Sequence, residues 1–305
     1  MKITIIGSGA MGCLFGGLLT EHGQDVQLLD VKEEQVRVLN KNGLTVFHDG
    51  VKRLIRVRAV TDPAEIGDTD LALIFVKHAQ TRTAAQVADR LLGSTGSVLT
   101  LQNGMGNAEI IADTVGEERV LCGTTAQGAM LLGLGKVQHS GTGATVVGMW
   151  KQERQPIAAQ VADIFSASGI VSKAVGDIEP ILWNKLFVNV GINALTALTS
   201  IRNGQLLDLK PTRELMKDVV QEAVTVAEVL SVPVTVDVLE HVENVARATA
   251  SNRSSMGQDV DAQRLTEIDA INGYIVRKAR ELGIEVPVNQ TLVRLVKTLQ
   301  GHYGA

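Results

Sequence analysis

The chain opens with Ile3-Thr4-Ile5-Ile6-Gly7-Ser8-Gly9-Ala10-Met11-Gly12, an apolar run followed by a glycine-rich turn. The order predicts a strand, a tight turn and then a helix, because the next residues are mostly apolar. In such a turn the first glycine permits the bend, the second lets the backbone approach a pyrophosphate, and the third lets helix and strand pack closely. The helix N-terminus adds N–H groups and a positive dipole end. The motif predicts a dinucleotide site; the alternative is a glycine turn without a ligand.

An acid closes the second predicted strand, residues 26–30, about 20 residues beyond the glycine turn. At this position a carboxylate accepts a hydrogen bond from the ribose 2′-hydroxyl of NAD and repels the 2′-phosphate of NADP. Asp30 therefore favours NADH. Lys32 and Arg37 follow closely and keep NADPH open as a cofactor. Capping of the next helix is an alternative role for Asp30.

The composition favours a globular enzyme and disfavours a nucleic-acid-binding or membrane protein. The length of 305 residues suggests two domains, and 45% hydrophobic with 20% charged residues is ordinary for a globular enzyme. A net charge of −4 without a basic block argues against nucleic acid or an anionic membrane as a partner. No apolar run approaches the ~20 residues of a membrane span. Cys13, Cys122 and the histidines show no metal-ligand spacing, so we expect no metal and a reducing, cytoplasmic location.

The pattern of apolar residues changes along the chain. In the first part strands and helices alternate, which predicts a parallel sheet covered by helices. The predicted strands are 3–6, 26–30, 71–76 and 98–101, with an antiparallel insertion at 44–48 and 51–60 and short strands at 137–139 and 145–147. Beyond Gly176 helical periodicity dominates, with predicted helices at 214–229, 259–280 and 292–299. We therefore predict an α/β Rossmann-like domain over residues 1–176, an all-α domain over 177–305, and a ligand cleft between them.

Three polar side chains recur along one predicted apolar helix that begins near Pro180. Lys185, Asn189 and Asn193 are each four residues apart, so they line up on one side of that helix. A buried polar group must find a partner or cost roughly several kcal/mol, and asparagine is a poor helix former. The spacing therefore predicts a lined cavity. The alternative is the solvated side of an amphipathic helix.

Further polar residues are candidates for the same site. Asn103 and Lys77 each follow a predicted strand at the carboxyl edge of the sheet, where ligands of such sheets bind. An ordinary Asn-Gly turn and a surface lysine are the alternatives. In the second domain, Ser255 could cap the helix that carries Glu267. Taken alone, Glu267 would be interpreted as a solvated helix residue.

Together and in this order, these segments resemble the ketopantoate reductase family along essentially the whole chain. The matching residues are Gly7–Gly12, Asn103-Gly104-Met105-Gly106, Trp183-Asn184-Lys185-Leu186 with Asn189 and Asn193, Asn203-Gly204, Ser254-Ser255-Met256 and Thr266-Glu267-Ile268-Asp269. The resemblance implies NAD(P)H-dependent reduction of a small 2-keto acid, ketopantoate, to (R)-pantoate on the route to pantothenate and coenzyme A. Family members that use NADPH carry a basic residue at about position 31, where this chain has Val31, and this difference supports NADH.

The resemblance also implies roles for individual residues. Lys185 would be the general acid, and Glu267 would position the substrate hydroxyl and support the lysine. The residues implied in the substrate pocket are Asn103, Asn189, Asn193, Asn203 and Ser255. Those implied at the cofactor are Gly7, Ser8, Gly9, Ala10, Met11, Gly12, Asp30, Lys77, Asn103, Ala129 and Glu267.

Two other functions stay open from the sequence. One is a reductase of another small 2-keto or 3-hydroxy acid, because relatives of the same architecture share the fold. The other is a non-catalytic NAD(H)-sensing module, which would not need Lys185 and Glu267 in a single cleft. An apolar face on the C-terminal helices would allow a homodimer, although the sequence does not assign that face.

Overall fold

The computed structural model of this chain describes residues 1–151, 156–234 and 237–303. The chain divides into two compact units. The first, the sheet unit, consists of Met1–Gln102 with Asn107–Ile178, and the second, the helical unit, of Asn103–Gly106 with Glu179–Ala305. The predicted fold class, an α/β Rossmann-like domain with an all-α domain, is confirmed. The segment Asn103–Gly106 groups with the helices although its neighbours in sequence belong to the sheet.

The sheet unit alternates strands and helices as predicted. In chain order it contains β1 (Lys2–Ile6), α1 (Ala10–Glu21), β2 (Asp25–Leu29), α2 (Glu33–Asn42), β3 (Leu44–His48), β4 (Val51–Ile55), β5 (Arg58–Val60), β6 (Thr69–Ile74), α3 (Thr81–Leu91), β7 (Leu92–Thr100), α4 (Asn107–Val115), β8 (Val120–Thr125), β9 (Gly128–Gly133), β10 (Lys136–Gly141), β11 (Thr145–Met149), α5 (Pro156–Ala167) and β12 (Ser172–Ala174).

Most strands of the main sheet are parallel. Within the described ranges, the sheet has eight strands in the order β12-β11-β8-β7-β6-β1-β2-β5. Six neighbouring strands run parallel to one another, namely β8, β7, β6, β1, β2 and β5. The next strand, β11, runs antiparallel to β8. Because parallel strands end at one edge, the turns after β1, β2, β6 and β7 lie along the same side of the sheet. That edge carries the glycine turn, Asp30, Lys77 and Gln102.

The predicted antiparallel insertion is present, but its second strand was predicted too long. The strands β3 and β4 pair antiparallel through the Asp49-Gly50 turn and join β10 and β9 in a second sheet. Residues 58–60 instead form β5, which pairs in parallel with β2 in the main sheet. The side chain of Asn40 on α2 holds this short strand, because it donates to the carbonyl of Ala59 at 2.7 Å and accepts from its N–H at 2.9 Å.

The helical unit packs around one long apolar helix. Its elements are α6 (Glu179–Thr199), α7 (Gln205–Asp208), α8 (Lys210–Val229), α9 (Val238–Ala248), α10 (Ser255–Asp261), α11 (Asn272–Leu282) and α12 (Pro287–Gln300). By length and composition, α6 is the one described helix that could cross a membrane, so the expectation that no run approaches this length was wrong. However, 61% of its most apolar 18-residue window is buried inside the fold, as in a core helix.

The prediction of one continuous helix over residues 259–280 was wrong. The chain leaves α10 at Asp261, turns through residues 262–271, and begins α11 at Asn272. The carbonyl of Ala270 accepts a hydrogen bond from the N–H of Met105 at 2.8 Å, and the N–H of Gly273 returns to the carbonyl of Ile268 at 2.8 Å. A contact with a distant segment therefore replaces the helix that the local sequence favours.

Candidate active site

The fold itself requires two of the three glycines in the glycine turn, residues 7–12. Gly7 has a φ of +100°, in the region that favours glycine. A Cβ on Gly12 would overlap the carbonyl oxygen of Gly7, so only glycine lets α1 pack against β1 here. A Cβ on Gly9 would meet no protein atom within 4 Å. Packing therefore does not require glycine at this position, and the free space beside its backbone fits the pyrophosphate of a dinucleotide.

The start of α1 is open to an anion. The helix begins with Ala10 and Met11, its N-cap residue Gly9 makes no side-chain capping bond, and its first turn contains no acidic residue. The first N–H groups of a helix have no partner within that helix and point along its positive dipole end. The residues present therefore fit a bound dinucleotide phosphate.

The carboxylate of Asp30 lies against the glycine turn. Its Oδ2 accepts hydrogen bonds from the backbone N–H and from the hydroxyl of Ser8, both at 2.7 Å. Its Oδ1 accepts from the N–H of Lys32 at 3.0 Å. The structure thus brings together two features that were predicted from separate parts of the sequence. The hydroxyl of Ser8 as a donor to Asp30 was not anticipated, although a serine between the two glycines was a visible signal.

Two acidic residues follow Asp30 and Lys32 in the chain. Glu33 and Glu34 occupy the first turn of α2, immediately after this carboxylate. They line an open pocket together with Val36, Arg37 and Thr61. The guanidinium of Arg37 lies 3.7 Å from the carboxylate of Glu34, with both side chains largely exposed.

Lys77 and Ala129 lie in different parts of the sheet unit. Lys77 is exposed in the loop after β6, at the predicted edge of the sheet. Ala129 lies on β9, opposite His139 of β10, and packs half-buried against the core that contains α1. The structure therefore places Lys77 at the expected edge, and Ala129 on the second sheet.

Lys185 is half-buried in the middle of α6. Burial lowers the pKa of its ammonium from the usual 10.5 to about 8, because a desolvated environment disfavours the charged form. Strongly shifted lysines are rare on protein surfaces and common in active sites. Near neutral pH, Lys185 still carries its proton but holds it less tightly than a solvated lysine does.

Two asparagines continue the line of Lys185 along α6; we call these three residues the polar stripe. The Nδ2 groups of Asn189 and Asn193 are buried and have no hydrogen-bond partner among the described residues. Asn193 is only 5% exposed, so the interpretation of a solvated stripe was wrong. An unpaired buried polar group costs roughly 1–3 kcal/mol. Such groups therefore indicate a ligand that would pair with them.

Asn203 repeats this arrangement in the loop after α6. Its Nδ2 donates to Thr249 Oγ1 at 2.9 Å, and its backbone N–H donates to the carbonyl of Asn252 at 3.0 Å. Its buried Oδ1 has no partner among the residues that the structure describes. Asn203 therefore offers one acceptor atom while the rest of the residue is held in place.

The predicted capping role of Ser255 was wrong. Ser255 is the exposed first residue of α10, and Glu267 lies beyond the end of that helix. The cap is Ser254, whose Oγ accepts from the N–H of Gly257 at 3.0 Å and from Thr196 Oγ1 at 2.7 Å. Thr196 is fully buried on α6, one turn beyond the polar stripe. A buried hydroxyl at that spacing was the signal that sequence reasoning missed.

Glu267 lies in the turn before α11 and is 9% exposed, so the interpretation of a solvated helix residue was wrong. Its carbonyl accepts from the N–H of Ala270 at 3.0 Å, and the carbonyl of Ala270 in turn accepts from Met105. Gly104 has a φ of +79°, and a Cβ there would overlap the carbonyl of Ala270. The turn of Glu267 and the half-buried segment that begins with Asn103 are therefore in direct contact.

Comparison with known proteins assigns both units to one protein family. Residues 3–152 match the family model described as ketopantoate reductase PanE/ApbA, and residues 177–300 match the model of its C-terminal domain. The chain belongs to the ketopantoate reductase family. Ketopantoate reductases are NAD(P)H-dependent oxidoreductases, and the predicted family and class of enzyme are confirmed.

Individual relatives cover the whole chain. It is 38% identical to the 2-dehydropantoate 2-reductase of Halobacterium salinarum, over 98% of this chain and 99% of the relative. Among solved structures, a PanE/ApbA family ketopantoate reductase from Ralstonia eutropha JMP134 has a TM-score of 0.92 at 31% identity, covering 100% of both chains. A ternary structure of D-mandelate dehydrogenase with NADH and anilino(oxo)acetate has a TM-score of 0.93 at 30% identity, again over 100% of both chains.

Proposed function

We propose that this chain reduces 2-dehydropantoate, also called ketopantoate, to (R)-pantoate with a nicotinamide cofactor, toward pantothenate and coenzyme A. Family membership and the full-length relatives named 2-dehydropantoate 2-reductase support this function. The observation that carries it is the polar stripe, where a lysine with a pKa of about 8 precedes two asparagines with unpaired buried amide groups.

The chemistry divides between the cofactor and one lysine. When bound, NAD(P)H would supply the hydride that the carbonyl carbon of the keto acid accepts. Negative charge then develops on the carbonyl oxygen, and the ammonium of Lys185 stabilises that charge and donates a proton to it. Desolvation makes the donation easier, because the lowered pKa brings the lysine closer to the operating pH.

The remaining polar groups of the helical unit suit a hydroxylated keto acid. The unpaired Nδ2 groups of Asn189 and Asn193 are donors that match substrate oxygens, and the unpaired Oδ1 of Asn203 is an acceptor that matches a hydroxyl. We assign to Glu267 the positioning of the substrate hydroxyl and the support of Lys185. Asn103 and Ser255 complete the proposed set of substrate contacts.

On the cofactor side, we assign the pyrophosphate to the glycine turn and further contacts to Lys77, Ala129, Asn103 and Glu267. The free space beside the backbone of Gly9 and the uncapped start of α1 support the assignment of the pyrophosphate. We also propose that the reaction takes place in the cytoplasm. Cys13 and Cys122 are both buried in the fold as thiols, which fits a reducing compartment.

We further propose that NADH is preferred over NADPH. The carboxylate of Asp30 is held at the glycine turn, and Glu33 and Glu34 follow it in the first turn of α2. A 2′-phosphate with a charge near −2 would meet these like charges. The basic side chain of Arg37 is paired with Glu34, and Val31 is exposed and uncharged. The D-mandelate dehydrogenase relative was solved with NADH, which also supports this preference.

The assay that tests the function mixes the purified chain with NADH and ketopantoate and follows the nicotinamide absorbance. Parallel reactions contain phenylglyoxylate, the keto acid that corresponds to mandelate, or no keto acid. We expect the highest catalytic efficiency with ketopantoate, and (R)-pantoate as the product on chiral chromatography. The relatives named 2-dehydropantoate 2-reductase do not favour another 2-keto or 3-hydroxy acid or a sensor. Faster turnover of phenylglyoxylate would overturn the proposed substrate, and NADH binding without any turnover would overturn the enzymatic role.

A further inference from the structure

One polar side chain outside the residues assigned so far joins three backbone segments at the carboxyl edge of the sheet. Gln102 follows β7, and its Nε2 donates to the carbonyl of Val76 at 2.7 Å and to Thr81 Oγ1 at 2.9 Å. Its Oε1 accepts from Thr100 Oγ1 at 2.8 Å. The amide group therefore ties the end of β7 to the loop after β6 and to the start of α3.

The network continues into the interior of the sheet unit. Thr81 Oγ1 donates to Asn107 Oδ1 at 3.0 Å, and His78 Nδ1 lies 2.7 Å from the same oxygen. Because an amide oxygen only accepts, His78 donates through Nδ1, which fixes its tautomer. Thr81 is fully buried and Asn107 is 3% exposed. Buried networks of this kind are rigid when they are complete and costly to interrupt.

The hydrogen bond from Gln102 to Val76 joins two residues that each precede a proposed site residue. Val76 precedes Lys77, and Gln102 precedes Asn103. We propose that Gln102 is a positioning residue, which acts by holding the two turns that lead into Lys77 and Asn103. The inference rests on the proposed function, because it takes those two residues as contacts of the cofactor and the substrate.

A matched control exists at the opposite end of the same strand. Arg119 donates from Nε to the carbonyl of Gly96 at 2.9 Å and from Nη2 to the carbonyl of Gly93 at 2.7 Å, near the amino end of β7. It is also a side chain that ties backbone segments together through two donor atoms. It lies away from the edge that carries the glycine turn, so its loss tests stability without disturbing the proposed contacts.

The first experiment compares Gln102→Met with Arg119→Met. Both keep an unbranched side chain and lose the donors. The dissociation constant of NADH, measured by fluorescence without any keto acid, should rise about tenfold in Gln102→Met, and catalytic efficiency with ketopantoate should fall ~10–100-fold, as small displacements of positioned groups do. In Arg119→Met both values should stay within about twofold of wild type, even if its melting temperature falls as much as that of Gln102→Met. Gln102→Glu keeps the acceptor for Thr100 but loses both donors, and should reproduce the loss.

Double variants separate positioning from a merely structural role. If Gln102 acts through its neighbours, Gln102→Met should lose much less activity in a Lys77→Ala or Asn103→Ala background than in wild type. Independent, multiplicative losses in both backgrounds would overturn the inference, as would unchanged NADH binding in Gln102→Met and Gln102→Glu. Failure of wild type to reduce ketopantoate would contradict the proposed function, and the NADH binding constants would still decide the role of Gln102.

Discussion

The glycine turn of the sheet unit and the polar stripe of the helical unit treat buried polar groups in opposite ways. In the turn, Ser8 donates through its N–H and its hydroxyl to Asp30. Its carbonyl accepts from Gln35 Nε2 at 3.1 Å and from Cys13 Sγ at 3.2 Å. On the stripe, the buried Nδ2 groups of Asn189 and Asn193 have no partner in the part of the chain that the structure describes.

The two regions therefore differ in how they affect the stability of the fold before a ligand binds. The turn is held by the protein itself, so its shape is set before a cofactor binds. The stripe keeps the buried amide donors of Asn189 and Asn193 unpaired, and each of them lowers the free energy of unfolding until a ligand pairs with it. Burial also disfavours the charged form of Lys185. Removing polar groups from the stripe should therefore stabilise the fold, whereas altering the turn should not.

The largest effect is expected at Lys185. Lys185→Met removes the proton donor, so the catalytic rate with saturating NADH and ketopantoate should fall by a factor of about 10²–10⁴. The melting temperature should stay equal or rise, because methionine removes a desolvated ammonium. Lys278→Met, at a lysine paired 3.0 Å from Glu281, is the matched control and should keep wild-type activity. Retention of more than about half the activity in Lys185→Met would rule out the lysine as the acid.

The same lysine gives a dependence on pH with a definite sign. The rate of reduction should fall as the pH rises through about 8, where Lys185 loses its proton in the folded state. Between this pH and the usual pKa of 10.5, the unfolded chain binds more protons than the folded one, so the free energy of unfolding should rise with pH. Stopped-flow rates and denaturant titrations measure the two trends. Both trends should be absent in Lys185→Met.

The third prediction contrasts two glycines of the turn. Gly9→Ala adds a methyl group that meets no protein atom, so the melting temperature should not change. The methyl group occupies the space proposed for the pyrophosphate, so NADH affinity should fall by about tenfold or more, or ~1.4 kcal/mol. Gly12→Ala overlaps the carbonyl of Gly7 and should destabilise the fold by about 1–3 kcal/mol. Normal NADH binding by Gly9→Ala would show that no ligand approaches that position.

The fourth prediction compares two buried asparagines of the helical unit. Asn193→Leu removes an unpaired amide group, so it should raise the melting temperature while the KM for ketopantoate rises about tenfold, close to the loss of one hydrogen bond. Asn289 is fully buried but satisfied, with Nδ2 donating to Glu222 at 2.8 Å and to the carbonyl of Val219 at 3.0 Å. Asn289→Leu should therefore destabilise the fold by roughly 1–3 kcal/mol. A lower melting temperature in Asn193→Leu would contradict the comparison.

The features that the sequence predicted correctly depend on local chemistry. The glycine turn requires particular residue types at fixed offsets, and the polar stripe follows from the helical repeat. The errors occurred where distant segments decide the structure. The break before α11 depends on the bond from Met105 to Ala270. Ser254, not Ser255, is the cap of α10, and its Oγ also accepts from Thr196 on α6. The network of Gln102 likewise joins segments that only the sheet brings together.

The last prediction concerns Asp30, which we propose decides the choice of cofactor. A carboxylate near a 2′-phosphate costs on the order of 1 kcal/mol per pair of unit charges at 4 Å in bulk water, and more where water is partly excluded. We therefore expect wild type to prefer NADH over NADPH by about tenfold or more in catalytic efficiency, since ~1.4 kcal/mol corresponds to tenfold. Asp30→Asn keeps the shape of the side chain and removes its charge, so this ratio should fall toward one.

Two comparisons make the Asp30 test specific. Asp70→Asn removes a carboxylate that accepts from the N–H of Lys2 at 2.7 Å, far along the sheet from the glycine turn, and should leave the cofactor ratio unchanged. Glu34→Gln releases Arg37 from its ion pair and should lower the ratio less than Asp30→Asn does, because exposed pairs contribute only about 0–1 kcal/mol. A wild type that prefers NADPH, or an unchanged ratio in Asp30→Asn, would mean that this carboxylate only holds Ser8 and Lys32. Asp30 would then belong to the internal support of the turn and would take no part in recognising the ribose.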